Sequence, residues 1–375
     1  VSGPEDSTQT VIYSRAQMAA MMDPRLHTLV AVSGSPNPFR RVIPTEPLVL
    51  GRSRECDLHL VDRQVSSRHC RVQLRQDRVW VEDLNSSNGT WIDGERVQGR
   101  QEWPVGSTLQ LGLHVFRHEF RTPQETQRED DLQADLQRAG AYLRSLLPPP
   151  LAQGPLRAEW VYRPAALLCG DAFGWHALDD HRTAIYLMDV SGHGAGAAIH
   201  TATALNALRQ GLLPGVDFGD PAAVLDGLNR AYPMERHGNM YFSIWYGVHD
   251  RAAHRLQFAS AGHPPALLKG PGGELVRLHT QRVAIGLIPD ETYETWEAPA
   301  PPGSTLYVFS DGVYDVETPQ GLWSLEEFIH QVSSPRREGH SEATRLHQHV
   351  QEITGDQDLR DDFTLLVLDF EPNAP

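Results

Sequence analysis

The sequence predicts two domains, an all-β sandwich followed by an α+β domain. Three observations carry this. From about Leu26 to Phe120, short apolar runs with period-two alternation are separated by Gly, Pro, Asn and Asp. Next comes a stretch with helical spacing that ends in Pro148-Pro149-Pro150. From about Leu156 to Phe370 strand-like and helix-like runs mix, and several of the apolar runs abut an aspartate.

A length of 375 residues favours two domains over one. The hydrophobic fraction of 40% is enough for ordinary cores, and 22% charged residues do not suggest disorder. No apolar run is long enough to cross a bilayer, and the N-terminus lacks a basic-then-apolar leader. The expectation is a soluble, cytoplasmic protein without a membrane partner. Cys56, Cys70 and Cys169 are odd in number and lack zinc-site spacing, so neither a disulfide framework nor a zinc site is expected. The formal charge of -15 argues against nucleic acid as the main partner. Lys269 is the sole lysine, so an arginine cluster counts only where its neighbours also fit a site.

Residues 1–24 are polar, then Ala/Met-rich, and read as an extension. In 25–121, Leu48–Leu50, Cys70–Leu74, Val79–Glu82 and Thr108–Leu111 read as strands of the sandwich. In 122–150, Leu132, Leu136, Ala139, Leu143 and Leu146 form an a/d seam on one helix. Two heptads suit either an amphipathic linker helix packing on the next domain or a short coiled coil making a homodimer. In 151–371, strands are expected at Thr183–Met188, Tyr241–Val248, Thr305–Phe309 and Thr364–Leu368. Helices are expected at Gly196–Leu208 and Glu342–Ile353.

The aspartates carry the chemistry of this second domain. Asp189 ends one apolar run, Asp311 ends another, Asp361 precedes a third, and Asp171 lies in Cys169-Gly170-Asp171. A strand end fixes a carboxylate in place, and neighbouring glycines let backbone and ligand approach closely. Separated carboxylates without cysteine ligands suit hard ions, Mg²⁺ or Mn²⁺. Two such ions sharing one carboxylate can hold a hydroxide for in-line attack on phosphorus. A single Asp-Gly is ordinarily a turn, but four aspartates in this order are hard to explain as turns.

These residues bring the segment to a family. It resembles the metal-dependent type 2C (PPM) protein phosphatases, in particular the SpoIIE/RsbU class of bacterial regulators. Six blocks match in order: Gly170-Asp171; Asp189-Val190-Ser191-Gly192-His193-Gly194; Tyr241 to Asp250; Ala261-Gly262-His263-Pro264-Pro265; Ser310-Asp311-Gly312; and Asp361-Asp362-Phe363-Thr364. The helix ending in Leu146-Leu147-Pro148 is similar to the lead-in segment of that class. The likeness spans residues 130–370 and implies a central β-sandwich flanked by helices, with two Mn²⁺ or Mg²⁺ ions at one end. It implies Asp189 as bridging ligand, with the Val190 carbonyl on the second ion. Asp311 and Asp361 would complete the first ion's site, and Asp171 would hold the second ion or its water. His193 is the residue nearest to the family's candidate proton donor; a general acid contributes about 10²–10⁴-fold. His263 reads as a structural turn histidine. Two departures stand out: Cys169 replaces the first glycine of the usual pair, and Gly174 replaces a second acid. Cys169 reads either as an oxidation sensor or as a small buried residue.

In the first domain, Gly51-Arg52, Ser66-Ser67-Arg68-His69, Asn85 to Asn88 and Gly89-Thr90 fall between strand runs, hence on loops, which cluster at the ends of a sandwich. Arginine, hydroxyls and asparagine brought together can bind a phosphate dianion and a peptide backbone. Alone, Arg52 would be a solvated charge and Asn88-Gly89 a hairpin turn. As a set they resemble a forkhead-associated (FHA) domain over about residues 26–120, which implies phosphothreonine recognition. Arg52 and Ser66 would bind phosphate with help from Ser67 and Ser87, and Asn88 would hold the peptide backbone. Gly51 and His69 would support the loops. The extension carries Thr8 and Thr10 near Glu5 and Asp6, which a Ser/Thr kinase could phosphorylate to make a tethered ligand.

The combined expectation is a serine/threonine phosphatase acting on a phosphoserine or phosphothreonine regulatory protein, such as an anti-anti-sigma-type regulator. A phosphothreonine-containing protein bound by the FHA domain would recruit or regulate it. The alternative, favoured by Gly174, is a catalytically weak or inactive phosphothreonine-binding scaffold.

Overall fold

The computed structural model describes residues 25–34, 39–152, 154, 156–192, 194–319, 321–336, 339–355 and 361–371. Thr8, Thr10 and His193 lie outside these. The chain divides into two compact units between Gln133 and Ala134.

The first unit is a sandwich of two sheets. One has six strands in the order β2-β1-β11-β10-β7-β8 and contains β1 (Leu26–Ser33), β2 (Arg40–Val42), β7 (Trp91–Ile92), β8 (Glu95–Arg96), β10 (Thr108–Leu111) and β11 (His114–Arg121). The other, β4-β3-β5-β6-β9, contains β3 (Leu48–Gly51), β4 (Leu58–His59), β5 (Cys70–Arg75), β6 (Arg78–Asp83) and β9 (Arg100–Glu102). Every pairing is antiparallel except β3 with β4. Alternation sends Leu48, Leu50, Val72, Val79, Val81, Leu109, Leu111 and Phe116 into one core around the buried Trp103.

The second unit has four layers. Two five-stranded sheets face each other. One, β12-β23-β20-β17-β18, contains β12 (Leu156–Arg163), β17 (Ala266–Lys269), β18 (Leu275–Leu278), β20 (Thr305–Phe309) and β23 (Phe363–Phe370). The other, β13-β14-β15-β16-β19, contains β13 (Asp171–Ala177), β14 (Arg182–Val190), β15 (Phe242–Asp250), β16 (Arg255–Ala261) and β19 (Trp296–Pro299). A small hairpin joins β21 (Val316–Thr318) to β22 (Gly321–Trp323). Phe173, Ile185, Leu187, Trp245, Leu306, Val308, Leu366 and Leu368 fill the space between the large sheets. Beyond these, two helices cover the outer face of the β13–β19 sheet and two cover the other.

The helices are α1 (Pro123–Leu146), α2 (Ala195–Arg209), α3 (Pro221–Ala231), α4 (Leu325–Ser333) and α5 (Glu342–Thr354). α3 and α4 were not anticipated from the sequence, although both carry start signals. Asp220 caps α3 ahead of Pro221, and Ser324 with Glu327 forms a capping box on α4. Among the described residues no helix is long and apolar enough to cross a membrane.

Part of the expected seam on α1 packs within the second unit. Leu132 and Ala139 are exposed. The packed face runs through Leu136, Gly140, Leu143 and Leu146, against Leu168 and Ala198. Gly140 sets the closest approach, because a Cβ there would stand 2.3 Å from the Leu167 carbonyl oxygen. Glycine carries no apolar side chain, so this contact leaves no mark in the hydrophobic periodicity of the helix. Gly140→Ala adds up to about 1 kcal/mol of helix propensity. It is nevertheless expected to lower stability in urea unfolding by a net ~1–2 kcal/mol, because the packed backbone must shift. An unchanged or higher midpoint would mean that α1 does not rest on Leu167.

Candidate functional sites

Strand parity decides which side chains meet in the second unit. On β14, Ile185 and Leu187 point between the sheets, while Ala184, Tyr186, Met188 and Val190 point to the helix-covered core. Asp189 therefore has inter-sheet parity. Asp171 shares that parity with Phe173 on β13, and the two aspartates are direct cross-strand partners. On the opposing sheet, Leu306 and Val308 of β20 and Leu366 and Leu368 of β23 face the same core, which gives Ser310, Asp362 and Thr364 the same parity. Asp311 opens a 3₁₀ turn just after β20, and Asp361 lies just before β23. The expected aspartates thus come to one mouth of the sandwich interior.

Hydrogen bonds tie these positions together. Thr364 Oγ1 donates to Asp171 Oδ2. Ser310 Oγ donates to the Asp362 carbonyl at 3.1 Å and accepts from the Thr364 amide at 3.1 Å. Thr201 Oγ1 of α2 donates to the Gly170 carbonyl at 3.0 Å. Gly170 is required where it stands: a Cβ would be 2.4 Å from the Val190 carbonyl oxygen and 3.2 Å from Asp189 Oδ1.

Asp362 is the residue that sequence reasoning missed. Its Oδ1 accepts from the Ala165 amide at 2.8 Å, and its Oδ2 accepts from the Gly170 amide at 2.9 Å and the Asp171 amide at 3.5 Å. It holds the turn that delivers Asp171. The alternation of β23 already gave it the face of Thr364, but its neighbour Asp361 drew attention as the family's ligand.

The electrostatics follow from burial and like charge. Burial, then Asp189 and Asp362, push the Asp171 carboxyl well above its ordinary range. Burial, then Asp311, Asp361 and Asp362, push Asp189 up to about 7. Burial and then Asp361 raise Asp311. For Asp362, burial outweighs the three amide hydrogen bonds and also raises it. Asp171 Oδ1 is buried with no hydrogen-bond partner. Such a group wants a cation, and the all-oxygen donor set suits Mg²⁺ or Mn²⁺. Among the described residues no three carboxylate, histidine or cysteine side chains close tightly enough round one point to hold an ion unaided. A Mg²⁺-type ion, which keeps several waters, tolerates that.

The departures from the family pattern acquire physical reasons. Positions 171 and 174 differ by an odd number along β13, so a side chain at 174 would point to the other face of the sheet. There a Cβ would meet Tyr186 Oη at 2.4 Å. Gly174 makes room for Tyr186 and takes nothing from the Asp171 face. Cys169 is buried against the Tyr162 hydroxyl, and burial pushes its thiol up to about 12. It is therefore a protonated packing residue, not a reactive thiolate. His263 is buried, with Nδ1 at 3.0 Å from the Pro264 carbonyl and burial lowering it to about 4, as a neutral turn histidine.

The first unit has its own loop cluster. Arg52 is exposed, its Nε donates to the Val65 carbonyl at 3.1 Å, and its amide donates to Ser66 O at 2.9 Å. Ser66 Oγ accepts from the Ser87 amide at 3.0 Å and lies 3.4 Å from Ser87 Oγ. Asn88 Nδ2 donates to Gln64 O at 2.8 Å. Ser67 is exposed, and its carbonyl accepts from the Ser53 amide at 3.0 Å. Fully buried His69 accepts from the Ser66 amide at 3.0 Å through Nδ1, so its Nε2–H donates to Gly89 O at 3.0 Å. A Cβ on Gly51 would stand 2.4 Å from Ser67 O. Asp83, not anticipated, pins the loop that carries Ser87 and Asn88: it accepts from Ser86 Oγ and Thr90 Oγ1, each at 2.6 Å.

Two measurements test this account. Without metal, folded Asp189 holds its proton up to about 7, whereas the unfolded chain releases it near 3.8. Stability in EDTA should therefore fall as pH rises from about 4 to about 7, and Asp189→Asn should flatten that fall. A thermal-melt series against pH reads it, and a slope unchanged by the substitution counts against the cluster. Separately, Asp362→Ala strands buried amides and should cost ~2–4 kcal/mol in chemical unfolding. A near-neutral effect would mean that the Gly170-Asp171 turn is held by other contacts.

Comparison with known proteins agrees with both architectures. Residues 179–371 match the family described as stage II sporulation protein E (SpoIIE), and residues 48–112 match the FHA domain. Phosphoserine phosphatase RsbP of Bacillus subtilis is 26% identical over 194 residues, covering 51% of this chain and 46% of that protein. FHA domain-containing protein FhaB of Mycobacterium tuberculosis is 33% identical over 84 residues, covering 22% of this chain and 54% of that protein. The chain thus spans about half the length of these relatives. Among solved structures, the SiaA-PP2C domain of Pseudomonas aeruginosa superposes with a TM-score of 0.57 at 24% identity, covering 65% of this chain and 99% of that one, a likeness of fold. With the SpoIIE match spanning more than half of the sequence and the sandwich ahead of it matching a second domain, the chain belongs to the SpoIIE family and carries an FHA domain N-terminal to its PP2C-type domain.

Proposed function

We propose that this chain is a metal-dependent serine/threonine protein phosphatase whose FHA domain recruits it to, or regulates it by, a phosphothreonine-containing protein. The observation that carries this reading is the buried carboxylate cluster, in which Asp171 Oδ1 lacks a partner and Asp189 is raised to about 7 by burial and like charge. A fold that keeps several aspartates in mutual repulsion gains most when cations bind there.

Asp189 and the Val190 carbonyl, Asp311 and Asp361, and Asp171 are the residues that would hold two Mn²⁺ or Mg²⁺ ions. When bound, such ions neutralise phosphate oxygens and acidify the attacking water. The chain's own contribution is placement. Asp362 and Thr364 fix Asp171, and Gly170 keeps the space beside Asp189 and the Val190 carbonyl open. His193 is assigned as proton donor to the leaving alkoxide on sequence grounds. The substrate class is a phosphoserine or phosphothreonine regulator, in keeping with the name of RsbP; an anti-anti-sigma-type regulator fits.

On the other unit, Arg52, Ser66, Ser67, Ser87 and Asn88 would take the phosphothreonine and the peptide backbone. Dimerisation through α1 and phosphorylation of Thr8 or Thr10 by a kinase remain proposals from sequence.

Hydrolysis of p-nitrophenyl phosphate and a phosphothreonine peptide is the direct test. Turnover is expected with Mn²⁺, is expected to vanish in EDTA, and should fall at least about 10³-fold in Asp189→Ala. Metal-independent turnover, or none under any condition, would overturn the enzyme reading. In the second case, phosphopeptide binding lost in Arg52→Ala would leave the scaffold.

A further inference from the structure

The loop cluster of the first unit carries more positive charge than one phosphate needs. Arg52 and Arg54 lie between β3 and β4, Arg63 and Arg68 between β4 and β5, and Arg96 on β8. All five are exposed. These segments are fastened to one another: the Arg52 and Ser53 amides donate to Ser66 O and Ser67 O at 2.9 and 3.0 Å, and Asn88 Nδ2 reaches Gln64 O at 2.8 Å. The Arg96 guanidinium lies over Gly89, where a Cβ would stand 2.8 Å from its Nε.

Among the described residues none of the five arginines forms an ion pair. Elsewhere on the same sandwich Arg40, Arg71, Arg78 and Arg121 each have a carboxylate partner. Four aspartates of the same unit hydrogen-bond to backbone or hydroxyls instead. Asp57 Oδ2 takes the Val49 amide at 2.8 Å, and Asp62 takes the Gln64 and Leu113 amides at 2.8 and 2.9 Å. Asp93 takes the Thr108 amide at 2.7 Å, and Asp83 is held by Ser86 and Thr90. A chain of formal charge -15 thus keeps five exposed arginines out of ion pairs on two joined loops and β8, with Glu55 and Glu95 among the exposed acids of the same segments.

Resting on the phosphothreonine-binding reading, we infer that this face selects an acidic phosphopeptide, in which carboxylates or a second phosphate flank the phosphothreonine. Arg52 takes the primary phosphate, and Arg54, Arg63, Arg68 and Arg96 read the flanking negative charge. Guanidinium groups suit both carboxylate and phosphate. The contribution is electrostatic, so it weakens with added salt.

The test is fluorescence polarisation on the full chain with three peptides: phosphothreonine with neutral flanks, phosphothreonine with Asp/Glu flanks, and the acidic peptide without phosphate. The acidic phosphopeptide is expected to bind about ten-fold tighter than the neutral one, the size that a few exposed ion pairs supply, and the ratio should shrink as salt rises. In Arg54→Gln/Arg63→Gln/Arg68→Gln/Arg96→Gln the ratio should fall toward one. Equal affinity for both phosphopeptides, with both lost in Arg52→Ala, overturns the inference and leaves the FHA reading standing. Equally tight binding of the unphosphorylated acidic peptide also overturns the inference, because charge alone would then suffice. No binding of any phosphothreonine peptide overturns the reading beneath it.

Discussion

Like charges held together at the edge of a dry core are the constraint around which the second unit is organised. Asp171 and Asp189 are cross-strand neighbours, and Asp311, Asp361 and Asp362 come in from the opposing sheet. In water such a group would disperse, since carboxylates directly opposite one another destabilise a sheet pair. Here the strands cannot move apart, because the residues next in line, Phe173, Leu187, Val308 and Leu366, are locked into the core between the sheets. Hydrophobic burial supplies the work that holds the carboxylates near one another.

That same geometry explains the polar residues around the cluster. Thr364, Ser310, Thr201 and Asp362 hydrogen-bond to backbone or to Asp171. They satisfy the amides and carbonyls that a turn at a buried sheet end would otherwise leave unpaired. The departures at Cys169 and Gly174 belong to packing: one thiol lies against Tyr162, and one glycine yields its space to Tyr186. Gly174 lies on the opposite face of β13 from the aspartates, whereas Cys169 packs in the inter-sheet core beside them.

The first unit solves a different problem by related means. Its loops must present charge outward without collapsing. Buried His69 and half-buried Asp83 do this by bonding to loop backbone and hydroxyls. The side chains on the exposed side are then left for a ligand. Rigid support beneath an exposed charged surface keeps the ordering cost of binding low.

By itself, the sequence determined the class of both domains, because period-two alternation and turn residues are local signals. It also determined the aspartates and the loop residues, because their spacing survives as motif. Tertiary structure alone decided what those residues touch. Asp362 emerged as the support of the Asp171 turn only once β23 lay beside β20 and opposite β13. Gly140 emerged as the contact of α1 only once the helix met the Leu167 carbonyl. The exposure of Leu132 and Ala139 likewise depends on which face α1 turns inward. Periodicity records that a residue faces a core, but which neighbour lies across from it is fixed by long-range packing that no local pattern encodes.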